Sequence, residues 1–181
     1  MKTSMKLLRH IDTLASMPPK AIIISLILFF VGVIGLAFLF TSEQKSEPTT
    51  AIFSEQDADR PKAETGQTFF DMGEIKVSDV KQQDYTLKNV GTKPLQILDV
   101  NSSCGCTAGQ IIYNGETSKE YSMHSQSGFV TEIAPGGTAT VRLTYRPATM
   151  PVYGVVEREV YVTTNDPANN KLVFSIRAIV K

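Results

Sequence analysis

From residue 66 to the end of the chain, apolar and polar residues alternate in short runs. That is the signature of strands with one buried and one wetted face. Tyr85 and Leu87 alternate with Thr86 and Lys88, and Ala139, Val141, Leu143 and Tyr145 alternate with Thr140, Arg142 and Thr144. Val156, Arg158, Val160 and Val162 share a face. Leu172, Phe174, Ile176, Ala178 and Val180 alternate with Val173, Ser175, Arg177 and Ile179. Thr68 to Ile75 gives a first strand around Phe69-Phe70, with a turn signal at Gly73, and Leu95 to Val100 forms another apolar run. Turn residues separate the runs at 91–94, at Pro135-Gly136-Gly137 and at Asn165-Asp166-Pro167. The pattern predicts an all-β fold over 66–181, an immunoglobulin-like β-sandwich of about seven strands. Trp is absent, so the likeness to antibody domains is one of architecture alone.

Upstream the period disappears. Residues 21–40 carry no charge and a single hydroxyl, and 15 of these 20 residues are Ile, Leu, Phe or Val. A helix of that length spans about 30 Å, the thickness of a bilayer's hydrocarbon core. The pattern predicts one N-terminal transmembrane helix, uncleaved, because the apolar run exceeds that of a signal peptide and Gly35-Leu36-Ala37 is followed by Phe38, Leu39 and Phe40. Lys2, Lys6, Arg9 and Lys20 precede the run, while Lys45 alone lies close after it. The expected arrangement is a cytoplasmic segment 1–20, a span 21–40 and everything later outside the cytoplasm. Residues 41–65 are polar, charged and interrupted by Pro48 and Pro61, the composition of a flexible linker.

Charge narrows the functions. The net charge is zero for the whole chain, but from residue 41 onward 17 acidic side chains face 14 basic ones. No basic block is present there, which argues against a nucleic-acid partner. No nucleophile, base and acid sit in a pattern that suggests catalysis, so the expectation is a protein that is not an enzyme.

The chemistry is concentrated in one motif. Cys104 and Cys106 are the two cysteines of the chain, separated by Gly105. Three readings stand beside one another. The thiols could be buried small side chains at a tight strand end. They could form a redox-active pair: a bridge over so short a loop removes little chain entropy, at most about 2 kcal/mol, and suits exchange better than stapling. Or they could bind a soft metal such as Cu(I), with His124 and Met123 as further ligands and Met150 as another thioether. For His124 and Met123 by themselves, an exposed loop without a ligand role is the simpler reading.

The strings Phe69 to Gly73, Asn89-Val90-Gly91, Ser102-Ser103-Cys104-Gly105-Cys106-Thr107, Ile133-Ala134-Pro135-Gly136 and Thr164-Asn165-Asp166-Pro167 succeed one another in order. Together they resemble a widespread bacterial family of exported domains, domain of unknown function 1573, similar in fold to Hydin and major-sperm-protein modules. The resemblance implies an immunoglobulin-like fold and an exported location, and no activity. Residues 108–132 depart from it, forming a longer segment with its own polar tip. The combined expectation is a membrane-anchored, extracytoplasmic, non-catalytic binding or scaffolding module without a cofactor, whose partner is an envelope protein or a surface polymer. Copper binding or delivery and thiol–disulfide redox work are the alternatives.

Overall fold

The computed structural model describes residues 19–41, 49–125 and 128–181, with side chains of the first segment described from residue 20 to residue 35. The expected cytoplasmic segment lies almost wholly outside these residues. The chain divides into two compact units, residues 1–47 and 48–181.

Among the described residues the first unit contains one helix, α1 (Pro19–Thr41). Pro19 opens it, where the missing N–H costs nothing. Its side chains from Ile22 to Gly35 are all exposed. Among the described residues no helix is long and apolar enough to cross a membrane. The described side chains stop at Gly35, five residues before the apolar run ends at Phe40.

The second unit is a β-sandwich. Ten strands succeed one another: β1 (Ala63–Thr65), β2 (Phe69–Ile75), β3 (Lys81–Asn89), β4 (Leu95–Ser102), β5 (Thr107–Tyr113), β6 (Glu116–Thr117), β7 (Thr131–Ile133), β8 (Thr138–Tyr145), β9 (Gly154–Thr164) and β10 (Lys171–Val180). They build two five-stranded sheets, ordered β1-β3-β8-β5-β6 and β2-β10-β9-β4-β7. All pairs are antiparallel except β2 with β10. Leu87, Val141 and Leu143 of the first sheet face Ile97, Val100, Val160, Phe174 and Ile176 of the second, all fully buried. Burying each such side chain contributes about 1.5–3 kcal/mol before chain entropy is subtracted.

The alternating runs become strands where the period predicts them, and the differences are local. β2 ends at Ile75 as expected, and Phe69 and Phe70 remain largely exposed because β2 is an edge strand. The strand count rises to ten because three strands have only two or three residues and because β5 lies in the segment 108–132. Arg158 does face inward with Val156, Val160 and Val162, and its guanidinium lies 5.8 Å from the centre of the Tyr145 ring.

The linker boundary also moves, since the second unit begins at Pro48 and not at residue 66. Ala51 N donates to Gln96 Oε1 (3.0 Å), Val90 N to Lys62 O (2.9 Å) and Thr92 N to Arg60 O (3.1 Å). Arg60 Nη1 lies 2.8 Å from Asp166 Oδ1, and the Asp166 side chain is 0 % exposed. Asp166 also accepts from Ala63 N (2.9 Å), Ala168 N (3.1 Å) and Asn169 Nδ2 (3.1 Å). Gly91 is required here, because a Cβ on it would stand 2.3 Å from Arg60 O. Residues 49–65 thus form a strap held by polar contacts to two turns, to β4 and, through β1, to β3.

Among the hydrogen bonds that join the two sheets directly, the Tyr85 hydroxyl donates to Ser175 O at 2.6 Å. Burial pushes this phenol up to about 12. An unfolded Tyr ionises near pH 10. Its contribution is therefore complete below about pH 10 and disappears as the pH rises toward 12.

Two outcomes are expected. Asp166→Ala strands the Arg60 charge and two backbone donors, and denaturant unfolding should register a loss of about 3–5 kcal/mol. Tyr85→Phe should lose about 1 kcal/mol at neutral pH. Between about pH 9 and pH 11 the parent should lose more stability than Tyr85→Phe, so that the two unfolding midpoints converge.

Candidate functional site

β4 belongs to one sheet and β5 to the other, so the chain crosses the sandwich between Ser102 and Thr107. The Cys-Gly-Cys motif is that crossing. Ser103 keeps the ladder of β9 going for one more residue, with Ser103 N donating to Glu159 O (3.0 Å) and Glu159 N donating to Ser103 Oγ (3.0 Å). The chain then bends. Thr107 N donates to Cys104 O (3.2 Å), and Arg146 N, beyond β8, donates to Cys106 O (2.8 Å). The buried Ser102 hydroxyl lies 2.9 Å from Cys104 O and 2.8 Å from Thr107 O, so its proton ties the two arms of the bend together.

Cys104 and Cys106 form a disulfide across this bend, with Cα atoms 5.2 Å apart. That separation lies within the usual range for bridged cysteines, and an extended i, i+2 pair could not reach it. Gly105 is exposed at the tip. Cys104 retains 9 % of its surface and Cys106 retains 2 %. Thr107 Oγ1 is within hydrogen-bonding reach of both sulfurs, 3.3 Å from Cys104 Sγ and 3.9 Å from Cys106 Sγ.

The other expected ligands lie elsewhere. His124 and Met123 sit in an exposed turn in which Ser125 N donates to Ser122 O. Among the described residues no three His, Cys, Asp or Glu side chains form a group that could hold a metal, so Cys104, Cys106 and His124 do not converge. The thioether brought to the bend is that of Met150, whose Sδ lies 3.8 Å from where a Cβ of Gly105 would stand. Met150 opens a run that the alternation of the sequence does not single out. Residues 148–155 are exposed without interruption, and Met150, Val152, Tyr153 and Val155 are among them. A signal is nevertheless there: Met150-Pro151-Val152-Tyr153 is apolar but carries no period, which identifies neither strand nor helix.

Two depressions of the sandwich are small. One holds about 90 Å³ of water-accessible space beside Ile111, Tyr113 and Val130, and another about 180 Å³ beside Ile52, Phe53, Leu98 and Pro167. Both fall below the size of an ordinary small-molecule site.

Residues 63–131 match the model of a family described as protein of unknown function (DUF1573). The DUF1573 match covers less than half of the chain. It runs from β1 to the start of β7 and contains the whole disulfide corner. No curated protein matches the chain. Among solved structures, a protein of unknown function from Porphyromonas gingivalis W83 superposes with a TM-score of 0.51 at 20 % identity, over 67 % of this chain and 48 % of that one. This chain therefore spans about half of that protein, and the likeness concerns the fold. A PapD-like domain of human CEP192 aligns over 75 % of this chain and 96 % of its own length, at 13 % identity and a TM-score of 0.42.

The hydrogen bonds of the corner can be tested singly. Ser102→Ala removes the hydroxyl that joins the two arms of the bend, and leaves buried carbonyls short of a donor. Chemical denaturation should show a loss of about 1–3 kcal/mol with an unchanged denaturant slope.

Proposed function

We propose that the chain is a membrane-anchored, extracytoplasmic, non-catalytic module that binds another component of the cell envelope, an envelope protein or a surface polymer. The observation that carries this reading is α1. Its side chains from Ile22 to Gly35 carry no charge and are exposed. A stretch of exposed apolar surface on that scale is stable against lipid and costly in water. The sequence continues it without a charge to Phe40, which makes the uncharged run 20 residues long. The basic residues Lys2, Lys6, Arg9 and Lys20 precede it, favouring export of the β-sandwich on its C-terminal side. The Cys104–Cys106 disulfide agrees with an oxidising compartment.

Copper(I) binding is a second reading, favoured by Met150 at the bend. In this reading the reduced Cys104 and Cys106 supply two thiolates and Met150 a thioether, with His124 and Met123 dispensable.

A periplasmic-type reporter such as alkaline phosphatase, fused after Lys181, should be active, and the fusion should stay with membranes through an alkaline wash. A cytosolic reporter signal, or release by the wash, would contradict the anchor. For copper, native mass spectrometry of the reduced full chain with Cu(I) should lose the adduct on Met150→Leu and keep it on His124→Ala; the opposite pattern removes the copper reading.

A further inference from the structure

We propose that the Cys104–Cys106 disulfide is a thiol–disulfide exchange site whose substrate is an exported polypeptide carrying a dithiol, received on the exposed run Met150 to Val155. This rests on the reading of the chain as an extracytoplasmic binding module and assigns that module's partner by its chemistry.

Three observations converge. The bridge closes a loop with a sequence separation of 2, the smallest effect on the unfolded chain that a bridge across an intervening residue can have. The bend is already held by Ser102, by Ser103 on Glu159 and by Arg146 on Cys106, so the fold has other means of keeping its corner. The two residues are also unequal, Cys104 keeping 9 % of its surface and Cys106 2 %, which assigns Cys104 as the side an incoming thiolate meets first.

Exchange proceeds in two displacements. A thiolate of the partner attacks Cys104 Sγ. The new partner–Cys104 bond forms, the Cys104–Cys106 bond breaks, and the electron pair leaves on Cys106 Sγ. Thr107 Oγ1, which reaches both sulfurs, donates a hydrogen bond to the thiolate that departs. The partner's second thiolate then attacks the partner sulfur of the mixed disulfide, and Cys104 leaves. Two electrons and two protons pass from the partner dithiol to Cys104 and Cys106, and the partner gains a disulfide.

Met150 to Val155 supplies the landing surface. Met150 Sδ lies against the position a Cβ would take on Gly105, and Val152, Tyr153 and Val155 extend apolar surface away from it with exposures of 47 %, 67 % and 59 %. A peptide with apolar residues beside its cysteines can cover this run while its thiolate approaches Cys104. Glutathione is too small to use it.

The experiment uses the full oxidised chain in detergent, with glutathione and a synthetic dithiol peptide whose cysteines are flanked by leucines. Alkylation and mass spectrometry track the reaction. Reduction of the folded protein should be first order in thiol, and the mixed disulfide that glutathione forms with the oxidised parent, caught by acid quench, should sit on Cys104 with Cys106 as the free thiol. Tyr153→Asp combined with Val152→Asp should slow the peptide about tenfold, the effect of losing an apolar anchor, and leave glutathione unchanged. Thr107→Val should slow both thiols, and Thr107→Ser should restore the rate. A reduction rate independent of thiol concentration, set by unfolding, overturns the proposal, as does an adduct on Cys106 or a landing-surface variant that treats both thiols alike. The Cys104→Ser/Cys106→Ser double variant separates this idea from its foundation. If it still binds an envelope partner, the binding module stands without the exchange chemistry.

Discussion

Four residues, 103–106, carry the chain from one sheet of the sandwich to the other. Packed sheets lie about 10 Å apart, so this crossing must bend sharply and still satisfy every buried backbone group. The solution is layered. Ser103 stays on the β9 ladder, the Ser102 hydroxyl serves two carbonyls across the bend, and Cys106 O receives the first amide after β8. The disulfide is added to a corner that hydrogen bonds already define. Its presence in so short a loop, where it can add little support, is the ground of the proposed exchange chemistry.

The sandwich was legible where burial alone decides the pattern. β3, β8, β9 and β10 each place fully buried side chains at every second position over much of their length, and their sequences alternate accordingly. β5 was not legible. Gly109 sits at its centre because a Cβ there would stand 2.6 Å from Val160 Cγ1 and 2.9 Å from Val100 Cγ1. Close approach to the opposite sheet demanded a residue that weakens any reading of a strand. The short β6 and β7 offer too few residues for a period to show.

The strap escaped notice for a different reason. Residues 49–65 bury little apolar surface, and Ile52 is 92 % exposed, so their composition reads as a coil. What orders them is polar: the Asp166 carboxylate, Asn89 and Gln96 receive donors from the strap. Asn165-Asp166-Pro167 was legible as a turn, but its role as a buried anchor depends on partners more than 100 positions away in the chain. At the candidate site the cysteines were visible from sequence and their bridged state was one of several open readings. The placement of Met150 beside them, and of His124 away from any cluster, required the fold.

The proposed exchange requires that the corner stand on its hydrogen bonds and packing without the Cys104–Cys106 bridge. Amide hydrogen exchange on the oxidised and the reduced full chain tests this most directly, because it resolves local from global opening. Reduction should release protection around residues 102–107 and 146–150 while β3, β8, β9 and β10 keep theirs. Loss of protection throughout both sheets on reduction would show that the bridge is a structural necessity and would contradict the account.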